Sequence, residues 1–358
     1  MVKCLKIPLK RAEIIRKKFD TYITYNYLPE KGKKYIYFAL RKIPDKIPKG
    51  IEIINKALKK REKKPKNIKD ILKNLMNEKE LNELVSSFEV LNTIAIIEIP
   101  NSLEKYEQQI GNAVMQMHKN IKTVLKKETG MSGKFRIRKV KVITGEKNFV
   151  TTYKENSCLF KLDISNMFYS TKLSTDRKRI AEQSGRNENI LVPFAGYGPF
   201  AITIAKKNPK TKVVGIELNP EAVKYFEENI KLNKLNNCKA LLGDASKIVE
   251  KYPEFKKWAD RIIMPLPKNA LDFLPYVLKC AKTGTILHIY AFDSKAGEYL
   301  NAQHLNAFDS KEYPFERKIK KVEIIAKKYG FKTKLLNKKL VRPYAPNVFQ
   351  ICLDIQII

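Results

Sequence analysis

Short apolar runs alternate with helix-like segments along the second half of the chain, from about residue 166 to residue 358. The runs have the length of buried strands, and apolar residues recur at helical spacing between them. In chain order these segments read NILVPF, FAITIAKK, KVVGIEL, PEAVKYFEENIKLN, CKALLGD, DRIIMPL, ALDFLPYVLKCAK and GTILHIYAF. The alternation predicts an α/β fold with a doubly wound, mostly parallel sheet. The last two strands, FKTKLLNKKLV and VFQICLDIQII, are expected to form a hairpin.

Two smaller regions precede this sheet. The pattern of residues 1–64 predicts a small α/β module that contains the strands CLKIPL and KYIYFAL and the helix KRAEIIRKKF. A basic segment at 59–66 is expected to be an extended linker. Residues 65–165 predict an α+β middle domain in the order helix, strand (VLNTIAIIEI), long helix (102–128) and several consecutive strands. Residues 166–358 form the predicted doubly wound domain.

The segment KFRIRKVKVIT in the middle domain has the two-residue period of a strand. That period puts Lys134, Arg136 and Arg138 on one face, and Phe135 and Ile137 on the other. One face is therefore expected to be a basic ridge, and the opposite face is expected to pack.

The charge balance changes the picture of function. The chain has 71 Lys and Arg residues against 37 Asp and Glu residues, a formal net charge of +34. This excess is larger than solubility needs and indicates a polyanionic partner, with RNA or DNA ahead of a membrane surface. A lysine-rich proteome of a hot-growing organism explains part of the lysine, but it normally brings matching glutamate.

Other classes of protein are not indicated. The five cysteines and three histidines show no paired or clustered spacing, so neither a disulfide framework nor a metal site is expected. The segment MVKCLKIPLKR lacks the apolar region of a signal peptide, and no apolar run approaches the ~18 residues of a membrane span. We expect a cytoplasmic protein without a membrane partner. His288, in the apolar run GTILHIY, is expected to be a core residue rather than a catalytic one.

A candidate cofactor site follows from the turn PFAGYGPFAI, which joins a strand to a helix through Gly196 and Gly198. Glycines there let the backbone approach a ligand, although any tight turn of this kind can use them. Two acids strengthen the prediction. Glu217 ends the next strand, where a carboxylate can accept both ribose hydroxyls, and Asp244 ends the third strand, where it can accept the adenine amino group. Because the phosphate cradle and lysine of a P-loop are missing, the pattern favours S-adenosylmethionine.

The chain resembles the archaeal and eukaryotic family of tRNA (guanine-37 N1)-methyltransferases along its whole length. The resemblance rests on GKFRIR, KENSCLFKLDISNMFYST, FAGYGPF, IELNPEAV, NIKLNKL, DRIIMPLPK and RPYAPN. It implies a class I (Rossmann-like) S-adenosylmethionine-dependent methyltransferase domain, preceded by a module that touches the tRNA elbow and by a middle RNA-binding domain. We expect a monomer. Val192 and Pro193 depart from the family pattern, which has an acid and a bulky apolar residue there.

The family motifs imply two groups of binding residues in this sequence. The cofactor-binding residues are Phe194, Gly196, Gly198, Glu217, Asp244 and Pro265. The RNA-binding residues are Lys134, Arg138 and Lys268.

Methylation of guanosine N1 requires that a proton leave N1 while negative charge builds on O6. In the family that the chain resembles, an arginine of the F-R-x-R strand stabilises O6, and a glutamate shortly before a helix takes the proton. These positions are Arg136 and Asp176 here. Arg136 is alternatively one more phosphate-binding residue of the basic ridge. Asp176 is alternatively a first-turn residue favoured by the helix dipole, and its side chain is shorter than the family's glutamate.

Pro265 stands where many enzymes that methylate a nucleobase nitrogen have the Asn of an Asn-Pro-Pro motif. The segment MPLPK resembles the archaeal branch of the family that also methylates C7 of 4-demethylwyosine, the tricyclic wyosine precursor made from the same guanosine. A slimmer, apolar floor suits the added ring, so Pro265 counts among the expected catalytic residues. Two rivals stay open: an aminocarboxypropyl transferase of the same fold that acts on this intermediate, and a non-catalytic RNA-binding protein.

Overall fold

The computed structural model describes residues 1–61, 65–133, 135–294 and 315–358. Lys134 and part of the predicted basic linker lie outside the described residues. Contacts divide the chain into two compact units, Met1–Ile71 and Leu72–Ile358. The division into three domains stays a prediction.

The first unit contains a small antiparallel sheet and a helix. Its elements are β1 (Val2–Pro8), α1 (Ala12–Lys18), β2 (Glu30–Lys31), β3 (Tyr35–Ala39) and β4 (Glu52–Lys56), with the strand order β2-β3-β1-β4. Leu5 and Ile7 of β1 share one face of the strand and pack with Ile15 of α1 in one hydrophobic cluster. The predicted strands and helix of this module are therefore present.

The second unit begins with helices and a four-stranded sheet. The elements are α2 (Ile68–Leu72, which starts in the first unit), α3 (Glu78–Glu83), β5 (Phe88–Leu91), β6 (Ile94–Ile97), α4 (Glu107–Met117), β7 (Thr123–Ser132) and β8 (Ile137–Gly145). The strand order is β5-β6-β7-β8. The predicted single strand VLNTIAIIEI is in fact the hairpin β5–β6, because Asn92 takes the left-handed conformation (φ 54°) that a tight turn requires.

The long helix predicted over 102–128 is wrong beyond Met117. Residues from Thr123 onward form strand β7, which pairs in parallel with β6, and Val124 and Leu125 become fully buried. The apolar spacing of this segment suits either a helix or a buried strand, and pairing with β6 decides for the strand.

The predicted strand KFRIRKVKVIT starts later than expected. Strand β8 begins at Ile137, and Arg136 lies in the turn before it with φ 53°, its backbone N–H donating to the carbonyl of Gly133 (3.2 Å). Phe135 also lies in this turn rather than on a packed strand face. The alternation of faces predicted for Phe135 and Arg136 is therefore wrong, because a turn does not keep the period of a strand.

The remaining elements form the predicted doubly wound domain. A hairpin and a helix come first: β9 (Val150–Glu155), β10 (Cys158–Asp163) and α5 (Ser174–Gln183). The sheet and its helices follow as β11 (Asn189–Pro193), α6 (Pro199–Lys207), β12 (Lys212–Glu217), α7 (Pro220–Leu232), β13 (Cys238–Leu242), α8 (Ile248–Lys251), β14 (Ala259–Met264), α9 (Ala270–Val277), β15 (Ala281–Ser294), α10 (Glu316–Lys328), β16 (Thr333–Ala345) and β17 (Val348–Ile357).

This sheet has seven strands in the order β13-β12-β11-β14-β15-β17-β16. Its first five strands are parallel to one another, and β17 lies antiparallel between β15 and β16 as the predicted terminal hairpin. Ile190 and Val192 pack on one face of the sheet, whereas Leu191 packs on the other. The predicted fold class is confirmed. Within the described ranges, no helix is long and apolar enough to cross a bilayer.

Candidate active site

A cleft of about 870 Å³ opens in the second unit at the carboxyl ends of the parallel strands, beside the turn that precedes β8. Open α/β sheets bind ligands at this edge. Six of the predicted site residues line the cleft: Arg136, Phe194, Glu217, Asp244, Pro265 and Lys268. The structure therefore brings together residues that lie up to 132 positions apart in the chain.

The glycine turn between β11 and α6 has two different roles. Gly196 takes φ 58°, and a Cβ there would meet nothing within 4 Å, so the absence of a side chain leaves open space. Gly198 takes φ 92°, and a Cβ there would lie 2.2 Å from a ring carbon of Phe226. The absence of a side chain at Gly196 thus leaves open space beside Glu217, whereas Gly198 allows the turn to pack against α7.

Backbone amides hold the carboxylate of Glu217 in place. Its Oε2 accepts the N–H of Gly196 (2.8 Å), and its Oε1 accepts the N–H groups of Leu218 (2.8 Å) and Asn219 (2.9 Å). Asn219 in turn caps α7 by accepting the N–H of Glu221 (3.1 Å). The end of β12 therefore presents a fixed carboxylate at the place where a ribose diol is expected.

Asp244 is fixed in a similar way after β13. Its Oδ1 accepts both the backbone N–H and the hydroxyl of Ser246, each at 2.8 Å. Apolar atoms of Ile216, Leu218 and Ala245 line the cleft beside it. Two fixed carboxylates with apolar walls between them suit an adenosine moiety, so the residues present fit S-adenosylmethionine.

Arg136 lies at the other side of the same cleft. Its guanidinium carbon is 5.4 Å from the centre of the Phe168 ring, in the geometry of a cation–π contact. Burial lowers the pKa of Arg136, although the nearby phenol of Tyr344 acts in the opposite direction. Among the described residues, no carboxylate lies within 4.0 Å of this guanidinium. Arg136 is thus a partly buried cation whose charge is available to a ligand.

Aromatic rings make most of the wall around Arg136. Phe135, Phe168, Phe292 and Tyr344 line this part of the cleft, and the rings of Phe292 and Tyr344 lie 4.2 Å apart. Phe135 was expected to pack, whereas Phe292 and Tyr344 were not predicted as site residues. The segment RPYAPN contains Tyr344, but nothing in it shows that β16 brings the ring to this cleft.

An amide that the sequence did not indicate also lines the cleft. Asn269 follows Pro265 by four residues and precedes α9, and its Nδ2 donates to Asp272 (3.2 Å). The wall that lacks an amide at Pro265 therefore carries one at Asn269. Asn269 is the last residue of MPLPKN, but the sequence does not show which side of this turn faces the cleft; the fold does.

Asp176 does not lie among the described residues that line the cleft. It is 3% exposed in the first turn of α5, and it accepts hydrogen bonds from Tyr290 Oη and from Arg179 Nε (2.8 Å), with Lys339 Nζ at 3.2 Å. Burial alone raises the pKa of Asp176, but Arg179, Tyr290 and Lys339 outweigh it and hold this pKa below its usual range. The structure therefore gives Asp176 a buried, charge-compensated environment.

Most of the other predicted residues are not among those that line the cleft, or lie outside the described chain. Gly196 does not line it, although its N–H holds the Glu217 carboxylate (2.8 Å). Gly198 packs against α7, and Arg138 lies on β8 with its Nη1 3.7 Å from Glu89. Lys134 belongs to the residues that the structure does not describe. Lys268 is exposed at the cleft, where a basic side chain is accessible to a polyanion.

One buried cluster resembles a set of metal ligands. His288, Cys352 and Asp354 offer ligand atoms within 4.8 Å of one another. Arginines already contact all three, however: Arg261 Nη1 is 2.6 Å from His288 Nε2, and Arg179 contacts Asp354 (2.6 Å) and Cys352 (3.2 Å). Because two positively charged guanidinium groups already contact these side chains, binding of a metal cation to this cluster is unfavourable. His288 is buried in the core, as expected.

The fold and this cleft define a class I S-adenosylmethionine-dependent methyltransferase. Residues 151–334 match the family model described as the TRM5/TYW2 methyltransferase domain, and residues 68–148 match the TYW2 N-terminal domain. The chain belongs to the TRM5/TYW2 family of methyltransferases, whose cofactor is S-adenosylmethionine.

Three similar proteins illustrate the range of the family. The tRNA (guanine(37)-N(1))-methyltransferase Trm5b of Pyrococcus abyssi is 35% identical over 100% of this chain and 99% of that protein. The tRNA (guanine(37)-N(1))/4-demethylwyosine(37)-methyltransferase Taw22 of Nanoarchaeum equitans is 34% identical over 58% of this chain and 84% of that protein. A solved complex of aTrm5 with tRNALeu is 27% identical, with a TM-score of 0.79 and 99% of each chain covered.

Proposed function

We propose that this protein methylates position 37 of tRNA, transferring the methyl group of S-adenosylmethionine to N1 of guanosine and also to C7 of 4-demethylwyosine. Full-length similarity to a guanine-37 N1 methyltransferase supports the first activity. Similarity to a relative named for both substrates supports the second. The net charge of +34 suits a tRNA partner.

The observation that carries the proposal is the position of Arg136. A partly buried guanidinium without a carboxylate partner among the described residues lies in the same cleft as Glu217 and Asp244. Bound S-adenosylmethionine supplies an electrophilic methyl group. Arg136 donates to O6 of the target guanine and stabilises the negative charge that develops there as N1 loses its proton. Phe168 and Tyr344 hold the base between apolar faces and exclude water.

The proton acceptor is less constrained. The role of Asp176 as the base stays a prediction, and its three partners, Arg179, Tyr290 and Lys339, count against it, because a carboxylate with a lowered pKa is a weaker proton acceptor. Glu217 and Asp244 belong to the cofactor part of the cleft. An Asp176→Asn enzyme with a pH–rate profile equal to that of the wild type excludes Asp176 as the base.

Pro265 suits the second substrate. Its ring offers an apolar surface to a third ring of the base, and the attacking atom of 4-demethylwyosine is a carbon that needs no amide partner. We infer that Pro265 permits both substrates, while Asn269 on the same wall can still meet a polar edge of guanine. Lys268 and Arg138 are proposed to bind tRNA phosphates, since basic side chains near the cleft gain from counterion release.

Residues 1–64 are proposed to bind the tRNA elbow and to add affinity rather than chemistry. A protein that lacks them should bind tRNA more weakly but transfer the methyl group at a similar rate under saturating tRNA, because the cleft residues all belong to the second unit. A folded truncation without single-turnover activity contradicts this division. We also propose that the enzyme acts as a monomer in the cytoplasm, which light scattering of the purified protein and its tRNA complex tests for the oligomeric state.

Mass spectrometry of nucleosides tests the proposed function directly. The enzyme is incubated with S-adenosylmethionine and either an unmodified transcript with G37 or a tRNA that carries 4-demethylwyosine. We expect 1-methylguanosine from the first and a singly methylated tricyclic nucleoside from the second. Addition of an aminocarboxypropyl group instead supports the transferase rival. Absence of any product, together with no calorimetric binding of S-adenosylmethionine, supports the non-catalytic rival.

A further inference from the structure

The carboxylate of Glu89 on β5 joins three side chains from different elements. Its Oε1 lies 3.2 Å from Lys127 Nζ and 3.7 Å from Arg138 Nη1, and its Oε2 accepts a hydrogen bond from the hydroxyl of Tyr169 (3.2 Å). Glu89 does not line the cleft. Two of its three partners, Arg138 and Tyr169, nevertheless lie within two positions of residues that do.

Two partners of Glu89 follow the two members of the Arg136–Phe168 pair in the chain. Arg138 follows Arg136 by two residues, and Tyr169 follows Phe168 directly. Tyr169 is nearly buried and anchors its segment in the core, whereas Phe168 beside it is exposed to the cleft. A single carboxylate therefore connects the start of β8 to the segment that carries the stacking ring of Arg136.

The turn that carries Arg136 needs such an anchor. Arg136 has φ 53°, a conformation that a non-glycine residue adopts only when its surroundings hold it there. The pairing between β7 and β8 is irregular between Lys127 and Met131, and it resumes at Arg138. The contacts of Glu89 with Lys127 and Arg138 thus bridge the two strands just where their regular pairing is interrupted.

The charges in this cluster are consistent with a fixed brace. Burial alone raises the pKa of Glu89, but Lys127 and Arg138 outweigh it and keep this pKa below its usual range. Burial and the neighbouring Glu89 raise the pKa of Tyr169, so its hydroxyl keeps the proton that it donates. Because two cations compensate the carboxylate, Glu89 does not neutralise Arg136.

We propose that Glu89 is a positioning residue for methyl transfer: through Arg138 and Tyr169 it holds the Arg136 guanidinium and the Phe168 ring in the geometry that faces the target base. This inference rests on the proposed function of Arg136. Glu89→Gln keeps the shape of the side chain but removes its charge. Because misplacing a catalytic group by about 1 Å can cost on the order of 100-fold, we expect the single-turnover rate to fall by roughly 10- to 100-fold.

A double-mutant cycle separates positioning from general damage. Single-turnover rates under saturating tRNA are measured for the wild type, Glu89→Gln, Arg136→Ala and the double variant. If Glu89 acts through Arg136, the Glu89→Gln substitution has little further effect once Arg136 is absent. Glu107→Gln is the matched control. Glu107 also pairs with two lysines, Lys126 (2.5 Å) and Lys141 (3.1 Å), yet neither adjoins a cleft residue, so its rate should match the wild type.

The possible outcomes distinguish this inference from the proposed function. A slow Arg136→Ala enzyme combined with a Glu89→Gln enzyme at the wild-type rate overturns the role of Glu89 and leaves the function of Arg136 intact. Equal rate losses from Glu89→Gln in both backgrounds do the same, since they show a general effect. An Arg136→Ala enzyme at the wild-type rate removes both roles. If Glu89→Gln does not fold, Tyr169→Phe replaces it in the same cycle, with the same pattern expected at smaller amplitude.

Discussion

Replacing Arg136 with alanine removes a guanidinium that lies in the cleft without a carboxylate partner among the described residues. Loss of one donor to a developing oxyanion costs about 2.7–4 kcal/mol, which corresponds to a fall of roughly 10²–10³ in kcat. The substitution leaves no buried carboxylate unpaired, and it forfeits only the contact with Phe168, about 0.5–1 kcal/mol for a cation–π pair at a partly exposed site. The rate should therefore fall far more than the stability.

The assay is single-turnover methyl transfer to a G37 transcript, with enzyme and tRNA above their dissociation constant and the tRNA affinity measured separately. Lys141→Ala is the control, because Lys141 is an exposed cation on β8 that pairs with Glu107 (3.1 Å) away from the cleft. Arg136→Ala should lower the rate while tRNA affinity changes by less than about tenfold. If the rate stays within about threefold of the wild type and only the affinity falls, Arg136 is a phosphate-binding residue and the reasoning is refuted.

Three further predictions concern the base, the cofactor and the core. Pro265→Asn places an amide against the tricyclic base, where an unpaired buried polar group costs about 1–3 kcal/mol. The ratio of kcat/KM for 4-demethylwyosine to kcat/KM for guanosine should therefore fall by roughly 5- to 200-fold. An unchanged ratio contradicts the proposed role of Pro265. Gly196→Ala should weaken S-adenosylmethionine binding in calorimetry by at least about tenfold, because its methyl group would enter open space next to Glu217, the carboxylate that is expected to bind the ribose. Gly198→Ala, whose Cβ would lie 2.2 Å from a ring carbon of Phe226, should mainly lower the free energy of unfolding by roughly 1–3 kcal/mol. The reverse ranking would invert the roles of the two glycines. Burial lowers the pKa of His288 below the ordinary histidine value of about 6.5, so the unfolded chain takes up a proton below about pH 6.5 that the folded protein does not. The free energy of unfolding should therefore fall as pH falls, by up to about 1.4 kcal/mol per pH unit. Urea denaturation between about pH 7.5 and 5.5 should show this slope in the wild type and a shallower one in His288→Gln.

The doubly wound sheet could be predicted because its signals are local. Each strand is a short apolar run, and each following helix carries its own period, so NILVPF and FAITIAKK indicate β11 and α6 without knowledge of the rest of the chain. Strand β7 could not be predicted in this way. Its residues are apolar enough for either element, and only parallel pairing with β6 makes the strand more favourable.

The cofactor part of the site could also be predicted, because each of its residues follows directly after a strand of the sheet. Glu217 is the last residue of β12, Asp244 follows the end of β13 by two residues, and parallel strands bring their carboxyl ends to one edge. The target part comes from distant segments: Phe292 from β15 and Tyr344 from β16. For Asp176, the motif predicts the position in the chain at the start of α5. It does not predict whether the carboxylate faces a ligand or is buried in the core, and the structure shows it buried against Tyr290.

Two non-glycine residues of the cleft, Arg136 and Phe194, adopt left-handed backbone conformations with φ 53° and 63°. For an L-residue this backbone conformation costs roughly 1–2 kcal/mol of folding stability, a cost that glycine does not have. Glycine at either place would therefore relieve the backbone strain but remove a side chain that lines the cleft. At these two positions a substitution that raises stability is expected to lower activity. Selection for a more heat-resistant variant would therefore be expected to reduce activity first through substitutions at these two positions.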